Sequence, residues 1–135
     1  MFVVGRSCRA TIVTSGDDVW VHSPVDLDDS IDSAMARALS LTIDGGGDDL
    51  PRLEDVLRSR PELKMHVVTP NYEHMKFAGK WSRAFAELDN VKILGCPGAT
   101  GRGDADYDGE VYGGDEGHWD YASFQPLHVS AEVRS

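Results

Sequence analysis

Two histidines and an asparagine could form an acid–base site if two apolar segments of the chain lie side by side. His22 follows the first segment, and Asn71 and His74 follow the second. Because the pKa of histidine lies near neutral pH, His74 could act as a general base that His22 or Glu73 orients. The same histidines could instead hydrogen-bond to loop carbonyls at the strand ends. The first interpretation predicts a catalytic group of His22, Asn71 and His74.

An acidic stretch, residues 104–115 (DADYDGEVYGGD), matches much of the template for a calcium-binding loop. Carboxylates stand at its first, third and fifth positions and a glycine at its sixth, as the template requires. Its last ligand would be Asp115, which is shorter than the usual bidentate glutamate, and the glycine-rich residues before it disfavour an entering helix. A flexible, solvated acidic loop is the alternative. The predicted calcium ligands are Asp104, Asp106, Asp108, Glu110 and Asp115.

The charge of the chain limits its partners. The sequence has 135 residues, with 13 Lys and Arg against 23 Asp and Glu, which gives a formal net charge of −10. Such a surface repels phosphate backbones and anionic membranes, so we expect no nucleic-acid partner. Since no run of about 18 apolar residues is present, we also expect no membrane span. Cys8 and Cys96 lack metal-ligand spacing and are typical of a reducing compartment, either the cytosol or an organelle.

The first half of the chain shows a hairpin pattern followed by two helical patterns. Residues 8–15 and 19–25 are rich in β-branched side chains and flank a Gly-Asp-Asp turn, which predicts a β-hairpin. Carboxylates at residues 26–29 precede a helical pattern, because negative charge stabilises the first turn of a helix. Pro51 suits the first position of a short second helix.

A strand–helix–strand unit follows. Residues 63–69 and 91–94 are predicted strands, and two short strands joined by a helix are expected to be parallel. We therefore predict an α/β fold in one domain, residues 1–135, with a mixed sheet and flanking helices. Its parts are a core (8–99), an acidic Gly-rich loop (100–118) and a terminal strand segment (119–133). The connecting helix is predicted to end near Asn90, with an apolar stripe of Ala78, Trp81, Phe85 and Leu88.

Three stretches carry a family resemblance. They are DVWVHSPVDLD at residues 18–28, HVVTPNYEHMKFAGKW at 66–81 and the strand-like VKILGCPG at 91–98. Together they resemble the signatures of an uncharacterised domain-of-unknown-function family placed beside the metallo-β-lactamase fold. The resemblance implies a half or reduced αββα metallo-β-lactamase-like sandwich. It also implies that the active-site edge lies at the carboxyl ends of the strands.

The chain departs from the ligand pattern of that fold. Metallo-β-lactamase relatives place a Thr-His-x-His-x-Asp-His run after a strand. When this run is aligned on Thr69, Pro70 and Tyr72 stand at the first two histidine positions. His74 falls at the aspartate position and Met75 at the last histidine position. Because a zinc hydrolase needs about three protein ligands and an open water position, we expect no zinc and no resident cofactor.

The length of the chain adds a further expectation. A full sandwich has a second half that these residues hardly provide, so a partner is expected to supply it unless the chain is a reduced version. An incomplete sandwich exposes apolar surface, which favours a protein partner or a homo-oligomer. The leading interpretation is a non-catalytic scaffold or accessory subunit of a larger assembly. The alternatives are a hydrolase-like enzyme built on His22, Asn71 and His74 and a calcium-binding module at residues 104–115.

Overall fold

A mixed β-sheet with helices packed against it is the framework of the protein. The computed structural model describes residues 2–4, 9–40, 52–72 and 75–110. The strands are β1 (Phe2–Val4), β2 (Arg9–Ser15), β3 (Asp18–His22), β4 (Lys64–Val68), β5 (Val91–Gly95) and β6 (Gly109–Glu110). The helices are α1 (Asp29–Leu39), α2 (Leu53–Ser59) and α3 (Ala78–Ala84). The predicted α/β class with a mixed sheet is therefore confirmed.

The strands lie in the sheet in chain order, from β1 to β6. Strands β1, β2 and β3 are antiparallel neighbours, whereas β3, β4, β5 and β6 run parallel. The predicted hairpin is confirmed as β2 and β3, and Gly16 has a φ of 59° in its turn. β3 ends at His22, earlier than predicted, because Ser23 adopts a φ of 61° and leaves the extended conformation. The predicted parallel pairing on either side of α3 is confirmed as well.

The sequence pattern does not predict β1 or β6. β6, a strand of two residues, lies inside the predicted acidic Gly-rich loop of residues 100–118, and residues 111–118 lie outside the described residues. Asp108 explains the extra strand, because its backbone N–H donates to the Ile93 carbonyl at 2.8 Å and its carboxylate accepts from the Ile93 N–H at 2.7 Å. These bonds hold the chain against β5 just before β6 begins. The predicted terminal strand segment, 119–133, lies outside the described residues.

Carboxylates begin the first two helices in different ways. Asp28 is the N-cap of α1 and accepts a hydrogen bond from the Ile31 N–H at 2.9 Å, as the acidic run predicts. α2 begins at Leu53, so the predicted start at Pro51 is two residues early. The physical reason is Asp32 of α1, whose buried carboxylate accepts from the Leu53 N–H at 2.8 Å. One helix therefore caps the next, which contributes to the contact between α1 and α2.

The third helix is shorter than its apolar stripe predicts. α3 ends at Ala84 rather than near Asn90, and a tight turn follows in which the Leu88 N–H donates to the Phe85 carbonyl at 3.0 Å. Phe85 and Leu88 are nevertheless buried, so the stripe identifies core residues correctly. The Asn90 side chain donates to the Leu57 carbonyl at 3.0 Å. The turn is thus fixed to the end of α2 before β5 begins.

Alternating strand residues divide the sheet into two faces. One face packs against residues of all three described helices and forms the main core. The other face carries Trp20, Val68 and Leu94, which are 7%, 8% and 0% exposed, together with the polar residues His66 and Lys92. Within the described part of the chain, no helix is long and apolar enough to cross a membrane.

Two contacts connect the segment after β3 with α3. The Trp81 indole N–H donates to the Val25 carbonyl at 2.7 Å, and both residues are 0% exposed. At the surface, Lys80 lies 2.8 Å from the Asp26 carboxylate. These contacts join two of the three stretches that carry the family resemblance, and they fix where the chain leaves the carboxyl end of β3.

Candidate functional site

The carboxyl ends of β3 and β4 meet, as the predicted acid–base group requires. His22 pairs with Val68 in the parallel register, and the Ser23 N–H donates to the Val68 carbonyl at 2.9 Å. The His22 ring is exposed, and its Nδ1 lies 3.2 Å from the Ser23 hydroxyl. Asn71 is also exposed at this edge, three residues after β4. The structure therefore places His22 and Asn71 at one edge of the sheet.

His74 and Glu73 lie outside the described residues. The structure thus neither assembles nor separates the full group of His22, Asn71 and His74. The catalytic group remains a prediction. The position of His22 and Asn71 at the same edge agrees with it.

The loop after β5 is closed by its own hydrogen bonds. The Glu110 carboxylate accepts from the Gly98 N–H at 2.9 Å and from the Thr100 N–H at 2.8 Å. These backbone donors stabilise the carboxylate and lower the pKa of Glu110. Four residues after the end of β4, the Tyr72 hydroxyl donates to the Pro97 carbonyl at 2.7 Å. Polar groups at the carboxyl edge are therefore used to hold the loop in shape.

A glycine is required where Tyr72 meets this loop. Gly98 has a φ of 83°, a conformation that side chains rarely adopt. A Cβ atom at this position would also lie 2.6 Å from the Tyr72 hydroxyl oxygen. The close approach allows Tyr72 to reach the neighbouring carbonyl of Pro97.

The predicted calcium ligands have separate structural partners. Asp104 lies 3.1 Å from the Arg83 guanidinium, Asp108 binds the Ile93 backbone, and Glu110 binds the 98–100 turn. Asp106 is exposed, and its backbone N–H donates to the Ser82 hydroxyl at 3.3 Å. Asp115 lies outside the described residues.

No group of three or more His, Cys, Asp or Glu side chains within the described ranges is placed to hold a metal ion. The carboxylates of Asp104, Asp108 and Glu110 would each have to leave a present contact in order to meet at one ion. Calcium binding therefore remains a prediction that the described residues do not assemble.

A small buried polar cluster lies below the closed loop, at the ends of β4, β5 and β6. It consists of Thr69, Cys96 and Tyr107, of which Thr69 is 0% and Cys96 6% exposed. Burial raises the pKa of the Cys96 thiol and that of the Tyr107 hydroxyl, and the nearby Thr69 hydroxyl lowers the Tyr107 pKa by less. A thiol with a raised pKa is a poor nucleophile, so this cluster does not favour covalent catalysis.

A histidine–carboxylate pair lies at the opposite, amino end of the strands. Nε2 of His66 is 3.4 Å from the Asp18 carboxylate, and the imidazole stacks against Trp20 with ring centroids 4.5 Å apart. His66 is only 2% exposed. Burial lowers the pKa of His66 more than Asp18 raises it, and the neighbouring Lys64 lowers it further. The neutral imidazole is therefore favoured.

Sequence reasoning missed this pair because its members are far apart in the chain. The sequence signal is the two-residue spacing of Asp18 and Trp20 on β3 and of Lys64 and His66 on β4. This spacing places each pair of side chains on one face of its strand. That spacing becomes informative once the register is known, with Asp18 opposite Lys64 and Trp20 opposite His66.

A groove of about 560 Å³ opens beside His66. Its walls combine apolar side chains at the end of α2 and after α3 with charged side chains from β4, β5 and the turn before β5. The lining residues are Leu57, Arg58, Pro61, Lys64, His66, Glu87, Leu88, Asp89, Asn90 and Lys92. The volume lies within the range of small-molecule sites.

A second groove, of about 480 Å³, lies where α1 and α2 begin and is mainly acidic. Its Asp28 and Asp32 carboxylates cap the two helices, and Lys80 pairs with Asp26 at its border. Asp28 and Asp32 stabilise the first turns of the two helices, so the acidic character of the second groove has a structural explanation.

Comparison of the chain with protein-family models, curated protein sequences and solved structures found no match. The described elements define the class of the protein: an α/β protein with a mixed sheet and its described helices on one face.

Proposed function

We propose that the chain is a non-catalytic scaffold or accessory subunit with a metallo-β-lactamase-like framework. The layering supports the framework, because the described helices cover one face of a mixed sheet, as in one half of an αββα sandwich. The sequence resemblance at residues 18–28 and 66–81 supports the same framework, and the Trp81–Val25 hydrogen bond joins these two stretches.

The closure of the loop at the carboxyl end of β5 is the observation that carries the proposal. In α/β sheets, substrates and cofactors bind outside the carboxyl ends of parallel strands. Here Glu110 binds two backbone N–H groups of the loop after β5, and Tyr72, which follows β4, holds the same loop. A metal or substrate at the carboxyl end of β5 would have to displace those contacts, whereas His22 and Asn71 are exposed after β3 and β4. A structural role fits such an edge better than a catalytic one.

The free side of β1 supports assembly. Within the described ranges, β1 pairs with β2 alone, and no described strand pairs with its other side. Its residues, Phe2 to Val4, are apolar and lack the charged side chains that commonly protect an edge strand. We propose that β1 pairs with an edge strand of another chain, and with a second copy when the protein is alone.

Metal titration tests the non-catalytic part of the proposal. We expect that neither Zn²⁺ nor Ca²⁺ gives stoichiometric heat in calorimetry with the full chain. Stoichiometric zinc uptake that is lost in His22→Ala or His74→Ala would contradict the proposal and support a metal centre. Calcium uptake lost in Asp104→Asn but retained in Asp26→Asn would instead support the 104–115 module.

A hydrolase-like enzyme is the second candidate function. The observation that favours it is the meeting of β3 and β4, which places His22 and Asn71 at one edge. It requires that His74→Ala abolish turnover of a substrate without changing thermal stability. If a His74→Ala variant keeps full turnover, this candidate is excluded.

A further inference from the structure

The groove beside His66 contains two lysines that form no ion pair with the described residues. Lys64 on β4 and Lys92 on β5 both line the groove and are exposed. Among the described residues, neither forms an ion pair. Since His66 is the register partner of Lys92 and lies two residues after Lys64, the three side chains share one face of the sheet. Two lysines at this diagonal spacing can reach the same bound group.

The remaining charges of the groove are partly engaged. Arg58 binds Glu54 at 2.8 Å and lies 3.6 Å from Glu87, so the negative charge of Glu87 faces a guanidinium. Asp89 is an exposed negative group in the lining. Asn90 donates its side-chain N–H groups to backbone carbonyls. Among the described residues, Lys64 and Lys92 are thus the positive groups of the lining that form no ion pair, in a chain whose net charge is −10.

We propose that this groove binds a small organic anion, a carboxylate or phosphate ester that carries an apolar group. The ammonium groups of Lys64 and Lys92 bind the anionic end. Pro61, which is exposed, and Leu88, which is 9% exposed, contact the apolar end, because they are the apolar side chains of the lining that reach its surface. The site lies at the amino end of β4 and β5, away from the carboxyl edge, and goes beyond the proposed scaffold function.

The buried His66 pair gives the groove a fixed wall. The imidazole is held between the Trp20 ring and the Asp18 carboxylate, so it does not need to be ordered when a ligand binds. Its neutral form leaves Lys64 and Lys92 as the source of positive charge on this face.

Three probes test the anion site on the full chain by NMR titration: phenyl phosphate, phenylacetate and benzylamine. We expect at least one of the two anions to bind at millimolar concentration, with shifts centred on Lys64, His66 and Lys92. Benzylamine, which has a similar ring and the opposite charge, should bind at least about tenfold more weakly, because ligand charge selects for the lysines. Binding of phosphate alone or carboxylate alone would identify the head group.

Variants that remove or keep the positive charge then test the two lysines. The double variant Lys64→Gln/Lys92→Gln should weaken the bound anion about tenfold or more, and Lys64→Arg/Lys92→Arg should retain binding. The matched control, Arg37→Gln/Lys76→Gln, removes two exposed positive charges outside the groove and should change affinity by less than about twofold. Circular dichroism confirms that each variant is folded.

The proposal is overturned if neither anion binds, if benzylamine binds as tightly, or if Lys64→Gln/Lys92→Gln weakens binding no more than the control Arg37→Gln/Lys76→Gln does. None of these results bears on the closed carboxyl edge or on the pairing of β1. The failure of the anion site is therefore distinguishable from the failure of the scaffold proposal.

Discussion

His66 couples the stability of the fold to pH. Its imidazole is 2% exposed and stacked on Trp20, and burial lowers its pKa below the ordinary value of 6.5. The unfolded chain therefore binds a proton at a higher pH than the folded protein does. The stability contributed by neutral His66 is fully present above pH 6.5 and is lost as the pH falls toward its lower folded pKa. Asp18 and Lys64 are the charged groups that face the ring.

The comparison of wild type with His66→Asn isolates this effect. Urea unfolding measured at a series of pH values should show a free energy of unfolding that falls more steeply below pH 6.5 in the wild type than in the variant. The variant is expected to be less stable throughout, so the slope with pH is the diagnostic quantity. Parallel curves for the two proteins would show that His66 is not the group responsible.

Trp81 is expected to be important for the stability of the core. Trp81→Phe removes the indole N–H that binds the buried Val25 carbonyl, and it leaves a smaller ring in a fully buried position. The loss of the donor and the added cavity should cost about 2–4 kcal/mol in the free energy of unfolding. Lys80→Gln, which removes the neighbouring exposed pair with Asp26, is the control and should cost less than about 1 kcal/mol. Equal losses in the two variants would contradict this account.

Single residues differ in how far the sequence predicts their roles. Trp81 and Phe85 are recognisable as core residues because their spacing follows the helical period. The partner of His66 is not recognisable, because Asp18 is 48 residues away and only the parallel register brings the two together. The structural role of Glu110 is not recognisable either. The same acidic sequence fits a calcium-binding loop and a loop in which a carboxylate binds backbone N–H groups.

At the scale of elements, Glu110 is expected to hold the loop between β5 and β6. Glu110→Gln keeps the shape of the side chain but removes its charge and one acceptor oxygen, so neither N–H keeps a charged partner and one of the Gly98 and Thr100 N–H groups loses its acceptor. We expect severalfold faster amide hydrogen exchange at these two positions. Asp106→Asn makes the same charge change at an exposed side chain and should leave their exchange unchanged. Unchanged exchange in Glu110→Gln would show that the carboxylate does not hold the loop.

The elements that the sequence predicts are those with a strong local signal. The hairpin is marked by Gly16, the start of α1 by the acidic run, and β4 and β5 by short apolar segments. The misjudged elements depend on contacts from elsewhere in the chain. α2 begins where Asp32 caps it, and β6 forms where Asp108 binds β5. Such contacts leave no periodic pattern in the sequence.

At the scale of the whole molecule, the sheet has one face covered by the described helices, and β1 is an apolar edge strand among the described strands. The covered face explains stability, and the edge supports the proposed pairing with another chain. The formal charge of −10 opposes self-association at low ionic strength, because like charges repel across the interface. Added salt should therefore strengthen pairing between copies until the repulsion is screened.

Sedimentation equilibrium of the isolated chain at moderate salt tests the scaffold proposal most directly. The proposal predicts a species with twice the mass of one chain, which Val3→Lys should weaken because a charged edge strand resists pairing. Val13→Lys, at an exposed position of the interior strand β2, is the matched control and should leave the dimer intact. A mass of one chain at every protein and salt concentration would contradict the account.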